Sequence, residues 1–538
     1  MTKKPKQILP TTFKFIYATK LIKIFTFARL IKFIMTKHLY LGLLLSLFTT
    51  TLQAQSPTLE QFILDSLDMH VQRGMARWDI PGTAVCIVKE GKVLLSKGYG
   101  VCDKTTNAPV NEHTLFMIGS NSKAFTGTAL AMLANDKKCD LSDPVQKWLP
   151  KFTMKDPWVA EHLNLSDIVS HRIGMETFQG DFTYWTSDLT ANEVIAHFGK
   201  FTPIYGFRSK WGYTNAGFAI AGACMQTISG KSWADNIRER IFQPLEMNRS
   251  LPLSAEVAKA SNLAQPHTQL LGKTQRIPFA IIDNLAPAGS IGSSVNDMGH
   301  WLMANLNQGA YKDKIPAAVI RSTRKPLSIL GRDNRAGHHY VLYGMGWLLE
   351  DYYGKEIVSH TGGVNGYVTA VTLLPELGTG IVVLTNTDAN GFYQSLNQVL
   401  VDAAVGAPFQ DHDANAFQNQ HAQQMEQDEN VKKMRDTVAM AHRASLDLDA
   451  YTGKYTNEMY GFTKIEKDGK ALKMTFEHHS AMTARLEPLG GDRFLCTYSD
   501  PMMGVRVFPF TTKDKKVAGF TLSVADFVEF TTYDFKKE

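Results

Sequence analysis

Residues 116–133 read FMIGSNSKAFTGTALAML, and the reading of this stretch decides the fold. An apolar run, Phe116–Ile118, gives way at Gly119 to residues that suit a helix. Ser120 and Lys123 stand at the changeover. On a helix, positions i and i+3 share a face, so the Lys123 amine can approach the Ser120 hydroxyl. A serine at a helix start also meets free backbone N–H groups and the positive end of the dipole, which favour a developing negative charge. A lysine held there is partly stripped of water, its pKa falls, and it can accept the serine proton. The competing reading of the same pair is an N-cap serine beside a solvated lysine. Phe125, Ala129, Met132 and Leu133 are the expected buried stripe of the helix.

Ser-x-x-Lys alone is a weak signal. It recurs at Ser322–Lys325, but Pro326 follows directly and discourages a helical Lys325. Two further elements add weight. KWGYTNAGF places Tyr213 and Asn215 before another apolar helix, and VSHTGGVNGY places His360, Thr361, Gly362 and Gly363 at the entry to a late hairpin. A pair of glycines lets backbone N–H groups come close to a ligand. Tyr455-Thr456-Asn457 repeats the Tyr-x-Asn pattern in a β-rich region far along the chain.

The ordered set Ser120-x-x-Lys123, Tyr213-x-Asn215 and His360-Thr361-Gly362 resembles the serine β-lactamase and DD-peptidase superfamily. It is most similar to the class C β-lactamase-related serine hydrolases, often called CubicO-type. The segments at 163–175, 228–250 and 286–301 are similar to stock segments of that branch, and the resemblance runs over about 58–405. It implies a nucleophilic Ser120 that forms an acyl-enzyme, with Lys123 and Tyr213 handling its proton. It implies Asn215 holding Lys123 or the substrate amide, and an oxyanion received between the backbone N–H groups of Ser120 and Gly363. No metal or cofactor is implied, and the adjacent histidines at 338–339 and 478–479 lack ligand spacing. The β-lactamases of this fold usually carry lysine where this chain has His360. A mostly neutral histidine weakens a β-lactamase reading and makes activity expected to follow His360 ionisation. His171 reads as structural, Asp297 as a residue of a helix start, and Trp211 as either lining the cleft or packing behind Tyr213.

Around these motifs the pattern reads as an α+β fold: an antiparallel sheet flanked by helices, β-lactamase/transpeptidase-like, plus a small C-terminal all-β barrel or sandwich. A helix is expected over 58–77, with Leu59, Phe62, Ile63, Leu67 and Val71 on one face. A hairpin at 82–100 turns around Lys89-Glu90-Gly91-Lys92, and a second at 366–386 turns over 375–380. The simplest packing joins the two hairpins in one sheet, with the helices of about 140–330 covering it. The expected domains are 1–54, an N-terminal extension and signal peptide; 55–406, the hydrolase domain; 407–446, a polar helical linker; and 447–538, the C-terminal barrel-like domain.

The net charge of +6 belongs to the N-terminus. Residues 1–37 hold nine basic residues and no acidic one, so the rest of the chain is slightly acidic. This excludes a basic nucleic-acid-binding body. Lys37, the apolar run Leu39–Phe48 and Leu52-Gln53-Ala54 have the form of a signal peptide starting at Met35. The apolar run is too short to span a bilayer. The expectation is an exported protein, periplasmic or secreted, with a cell-envelope association and a small-molecule or peptide substrate. Residues 1–34 then read as an over-extended reading frame, and the rival reading is a basic interfacial anchor. The five scattered cysteines read as buried free thiols. On function, the sequence supports an amide- or peptide-cleaving serine hydrolase. It leaves open a carboxylesterase on the same site and a penicillin-recognising binding protein without turnover.

Overall fold

The computed structural model describes residues 57–270 and 272–538. The signal peptide expected at Met35–Ala54 lies outside the described residues. No described helix is long and apolar enough to cross a membrane.

The first hairpin forms as expected, with β1 (Gly82–Lys89) and β2 (Lys92–Gly100). Glu90 and Gly91 both take positive φ, 49° and 75°, the primed turn that matches the twist of paired strands. The late hairpin is β7 (Tyr367–Leu374) and β8 (Thr379–Thr385). The two hairpins join directly, β1 pairing with β8 from Thr83↔Thr385 to Lys89↔Thr379. Four more strands extend the sheet: β3 (Ser328–Arg332), β4 (Tyr340–Tyr343), β5 (Leu348–Tyr352) and β6 (Lys355–Val364). The antiparallel order is β2-β1-β8-β7-β6-β5-β4-β3.

The N-terminal helix departs from expectation. Ser66, at φ −136°, breaks it into α1 (Leu59–Asp65) and α2 (Leu67–Trp78). Leu59, Phe62, Leu67 and Val71 are buried against the sheet in the same apolar cluster as Val85 and Val383. In the helix after Ser120, α3 (Ser122–Asn135), Phe125, Ala129, Met132 and Leu133 are buried as expected, but so is every other residue from Ser122 to Leu133, so they form no separate stripe. Phe125 stacks on Trp301 at 3.9 Å. On another side, a Cβ at Gly127 would come within 2.2 Å of the Met345 carbonyl oxygen. A helix enclosed in this way is a central element of the domain, and its apolar residues need no preferred face.

Helix α4 (His412–Ala439) is the polar stretch expected from composition. Its first turn is tied to the body: buried Asp413 accepts from Trp78 Nε1 at 2.6 Å and pairs with Arg77. Eight antiparallel strands from Gly453 to Lys537 follow in meander order and close into a barrel, which settles barrel against sandwich. Closure leaves no free strand edge. Aromatic residues fill the interior, with Phe520 stacked on Phe535 at 5.1 Å. Tyr455 belongs to the first barrel strand, so its Tyr-x-Asn is part of the barrel wall. The five cysteines are unpaired, and all but Cys139 are buried.

Candidate active site

Ser120 sits in a 3-10 turn, Gly119–Asn121, immediately before α3 rather than inside it. The turn is fixed from both sides. Ile118 N–H donates to the Ile291 carbonyl at 2.9 Å, and Asn121 Nδ2 donates to Thr369 Oγ1 at 2.8 Å. Gly119 has φ 53°, and a Cβ there would lie 2.7 Å from the Gly363 amide nitrogen. A Cβ on Gly362 would lie 1.9 Å from the Ile118 carbonyl oxygen. Both glycines are therefore required by backbone-to-backbone approach. Strand β6 pairs with β5 only as far as Ser359↔Leu348, while its pairing with β7 continues to Val364↔Tyr367. The β6 edge beyond Ser359 thus runs past β5 and faces the serine turn.

Lys123 is fully buried. Its Nζ lies 3.0 Å from Ser120 Oγ, and it donates to Asn215 Oδ1 at 2.7 Å and to the Ala288 carbonyl at 2.9 Å. Of the two roles open for Asn215, the structure gives it the holding of Lys123. Burial lowers the Lys123 pKa to about 7, with Asp181 opposing the shift. Tyr213 packs over this amine, its ring centroid 4.6 Å from Nζ. Burial raises its phenol pKa, and a hydrogen bond with Ser120 works against the rise. Tyr213 is therefore a neutral hydroxyl at neutral pH.

The setting of His360 counts against the expectation that its ionisation governs activity. Burial, and then the Lys123 charge, hold its pKa down to about 3. The hydrogen bonds explain its state. Thr214 N–H donates to His171 Nδ1 at 3.1 Å, so that nitrogen is unprotonated and Nε2 carries the hydrogen. His171 Nε2 faces the Tyr343 hydroxyl at 3.3 Å, which faces His360 Nε2 at 2.9 Å. His360 Nδ1–H donates to the Thr361 carbonyl at 2.5 Å. Each group donates once along this chain, and both imidazoles are neutral. His171 therefore supports Tyr343 and packs on Tyr213 at 4.3 Å, behind the reacting groups. Trp211 lines the cleft. Asp297 lies in the first turn of helix Val295–Leu306 as expected.

Ser120, Tyr213, Asn215, His360, Thr361, Gly362 and Gly363 line one cavity of about 540 Å³, with Lys123 beneath. The catalytic and substrate-facing residues that the resemblance implies are thus brought together. Ser322 lies at the end of a separate helix, and Lys325 is exposed beyond it. Four participants carried no sequence signal: the Ala288 carbonyl, Tyr343, Asp181 and Glu529. Asp181 Oδ2 accepts from Asn215 Nδ2 at 2.5 Å. Burial, and then the nearby Glu529, push the Asp181 carboxyl well above the usual carboxylate range.

Comparison with known proteins bears on the family and the fold. The C-terminal residues 439–537 match a domain of unknown function, DUF3471. The chain is 29% identical over 418 residues to unguisins hydrolase ungD' of Aspergillus campestris, covering 72% of this chain and 75% of that one. It is 26% identical to Protein flp of Staphylococcus aureus, covering 60% of this chain and 63% of that one. Among solved structures, the octameric penicillin-binding protein homologue from Pyrococcus abyssi superposes with a TM-score of 0.55 at 20% identity, over 88% of this chain and 99% of that one. A D-stereospecific amidohydrolase from Streptomyces superposes with a TM-score of 0.52 at 18% identity, over 63% and 97%. The Beta-lactamase family profile itself matches residues 67–405, well over half of the chain and all of the cavity's motifs, and the protein belongs to that family of hydrolases.

Proposed function

We propose that the protein is a serine hydrolase of the class C-related, CubicO type that cleaves an amide through an acyl-Ser120 intermediate. The observation that carries this reading is the setting of the Lys123 amine. Two carbonyl oxygens, Asn215 Oδ1 and Ala288 O, take two of its hydrogens, and its remaining direction faces Ser120 Oγ at 3.0 Å. In the neutral amine that direction is the lone pair. With a pKa of about 7, a large share of the amine is a competent base at neutral pH.

Lys123 takes the Ser120 proton as Oγ attacks the substrate carbonyl carbon. The backbone N–H groups of Ser120 and Gly363 receive the oxyanion. The intermediate collapses, the C–N bond breaks, and the amine leaves with the proton relayed from Lys123 through the Tyr213 hydroxyl. Water then attacks the acyl ester and gives up a proton through the same pair, and Ser120 departs protonated as the acid is released. The β6 edge at Thr361–Gly363 offers backbone groups to an extended substrate, as an added strand would use them.

The cavity also bears on substrate class. Phe178, Trp185, Trp211, Val341 and Val368 make much of its wall, and its ionisable carboxyls are Asp181 and Glu350. Among the described residues that line it there is no arginine or lysine. With His360 neutral as well, the site suits an apolar acyl group and a scissile amide without a neighbouring carboxylate. The similarity to a relative named unguisins hydrolase supports hydrolysis as the reaction class.

The test is intact mass after incubation with a fluorophosphonate probe. One adduct on the wild type and none on Ser120→Ala is expected; no adduct on the folded wild type overturns the reading. Release of product from amino acid amides against p-nitrophenyl esters then separates an amidase from an esterase. A stable acyl-enzyme without release identifies a binding protein. Export remains part of the proposal, and its check is a mature chain recovered outside the cytoplasm that begins at Gln55.

A further inference from the structure

The barrel does not stand apart from the cavity. The segment between its last two strands, residues 523–532, reaches the hydrolase site. Phe527 and Val528 line the cavity that holds Ser120. The Phe527 ring lies 3.3 Å from where a Cβ on Gly363 would be. Phe530 stacks on Phe178 at 5.9 Å, and Phe178 meets the Tyr213 ring edge-on at 5.5 Å.

Between these exposed aromatics stands Glu529, which is 1% exposed. It accepts the Gly180 N–H at 2.7 Å and the Phe182 N–H at 2.9 Å, the two amides that flank Asp181. Tyr533 Oη donates to it at 2.8 Å, and the Thr531 hydroxyl also binds it. Four donors on two oxygens match the accepting capacity of a carboxylate. Phe182, on the same short segment, packs into the barrel and stacks on Tyr460 at 5.1 Å. The backbone on both sides of Asp181 is thereby clamped by the barrel, while its carboxyl group accepts from Asn215, which holds Lys123.

We infer that Glu529 is a positioning residue of the hydrolase centre, fixing Asp181, Asn215 and the Lys123 amine, so that the C-terminal barrel completes the catalytic site. The inference rests on the acyl-Ser120 reading above. Glu529 contacts neither Ser120 nor Lys123; it acts through Asp181. Its charge has a second effect along the same route. Lys123 is faced by Asp181, His171, His360 and Tyr213, and Asp181 is faced by Glu529, Lys123, Tyr184 and Tyr533. A negative Glu529 discourages ionisation of Asp181. With that charge removed, Asp181 ionises more readily and stabilises Lys123 in its charged form.

The experiment is the rate of Ser120 labelling by a fluorophosphonate against pH, on the full chain, for wild type, Glu529→Gln and Tyr533→Phe, with thermal unfolding of each. For Glu529→Gln the labelling rate falls by roughly 10- to 100-fold, the scale of a misplaced catalytic group. Its rising pH limb moves up by about one unit, as expected for an unmasked neighbouring charge. A merely structural residue would lower the active fraction and leave the midpoint of the limb in place. Tyr533→Phe removes one of the four donors, keeps the ring and slows labelling in the same direction. A wild-type rate and midpoint in folded Glu529→Gln overturn the inference and leave the hydrolase reading intact. Should Glu529→Gln not fold, unchanged labelling of Tyr533→Phe overturns it instead. Absence of labelling in the wild type removes the hydrolase reading and this inference with it.

Discussion

The pH dependence of acylation is the sharpest consequence of the site. Burial lowers Lys123 from 10.5 to about 7. A fall of about 3.5 units corresponds to roughly 5 kcal/mol against the ammonium form, at 1.36 kcal/mol per unit. The acting species is the neutral amine, so the acylation rate rises with pH through the folded pKa and levels above it. Below the midpoint it falls about tenfold per unit, and at pH 5 the rate is about one hundredth of its plateau. His360, held down to about 3, contributes nothing to this limb. The assay is the second-order rate of fluorophosphonate labelling between pH 5 and 9, followed by intact mass. His360→Asn, which retains a polar group opposite Tyr343, tests the assignment: whatever happens to the plateau, the midpoint stays near that of the wild type. A flat profile between pH 5 and 8 refutes Lys123 as the base. A limb that vanishes in His360→Asn shows that the histidine, and not the lysine, is the titrating group.

Two further outcomes follow from the geometry. Gly119→Ala forces a Cβ against the Gly363 backbone at a positive φ; it lowers stability by about 1–3 kcal/mol and abolishes labelling, read by denaturant unfolding and intact mass. A substrate amide with a free carboxylate beside the scissile bond has a lower kcat/KM than the same compound with that carboxylate amidated. Equal values would argue against a cavity without a cation to receive the carboxylate.

The legible part of the molecule was that in which covalent spacing already fixes geometry. Ser120 and Lys123 meet because a step of three along a helical turn brings them to one face, and the first hairpin forms because Glu90-Gly91 can take its turn. The motifs at 213–215 and 360–363 name residues whose side chains or glycines are themselves used. What stayed hidden works through tertiary contact or through the backbone. The Ala288 carbonyl holds Lys123 with an atom that every residue possesses. Glu529 reaches Gly180 across 349 positions, and no local pattern records such a distance. Strands β3 and β4 are short and half-exposed at the far edge of the sheet, so their alternation carries little signal. The even burial of α3 misled in the other direction, since small and apolar residues on all faces read as a stripe when only some are counted.

The charge of the site explains why a histidine at 360 is compatible with a lysine base. Lys123, His171 and His360 are all buried in one region; the Lys123 charge lowers the pKa of both histidines, and His360 lowers that of His171. In a low-dielectric interior such a cluster holds few protons. The chain of donors from Thr214 N–H through His171 and Tyr343 to His360 requires neither imidazole to be charged. That leaves Lys123 as the group among these three whose titration falls near neutrality. The acidic side is arranged in the matching way. Two ionised carboxylates, at Asp181 and Glu529, would hold Lys123 as an ammonium and disable it as a base. Burial raises both carboxyls, but at Glu529 four hydrogen bonds oppose the rise, whereas Asp181 is pushed well above the usual carboxylate range by burial and by Glu529. The negative charge is thereby kept on the residue farther from the amine. A site that needs a neutral lysine gains from this division, and it is a residue of the barrel that enforces it.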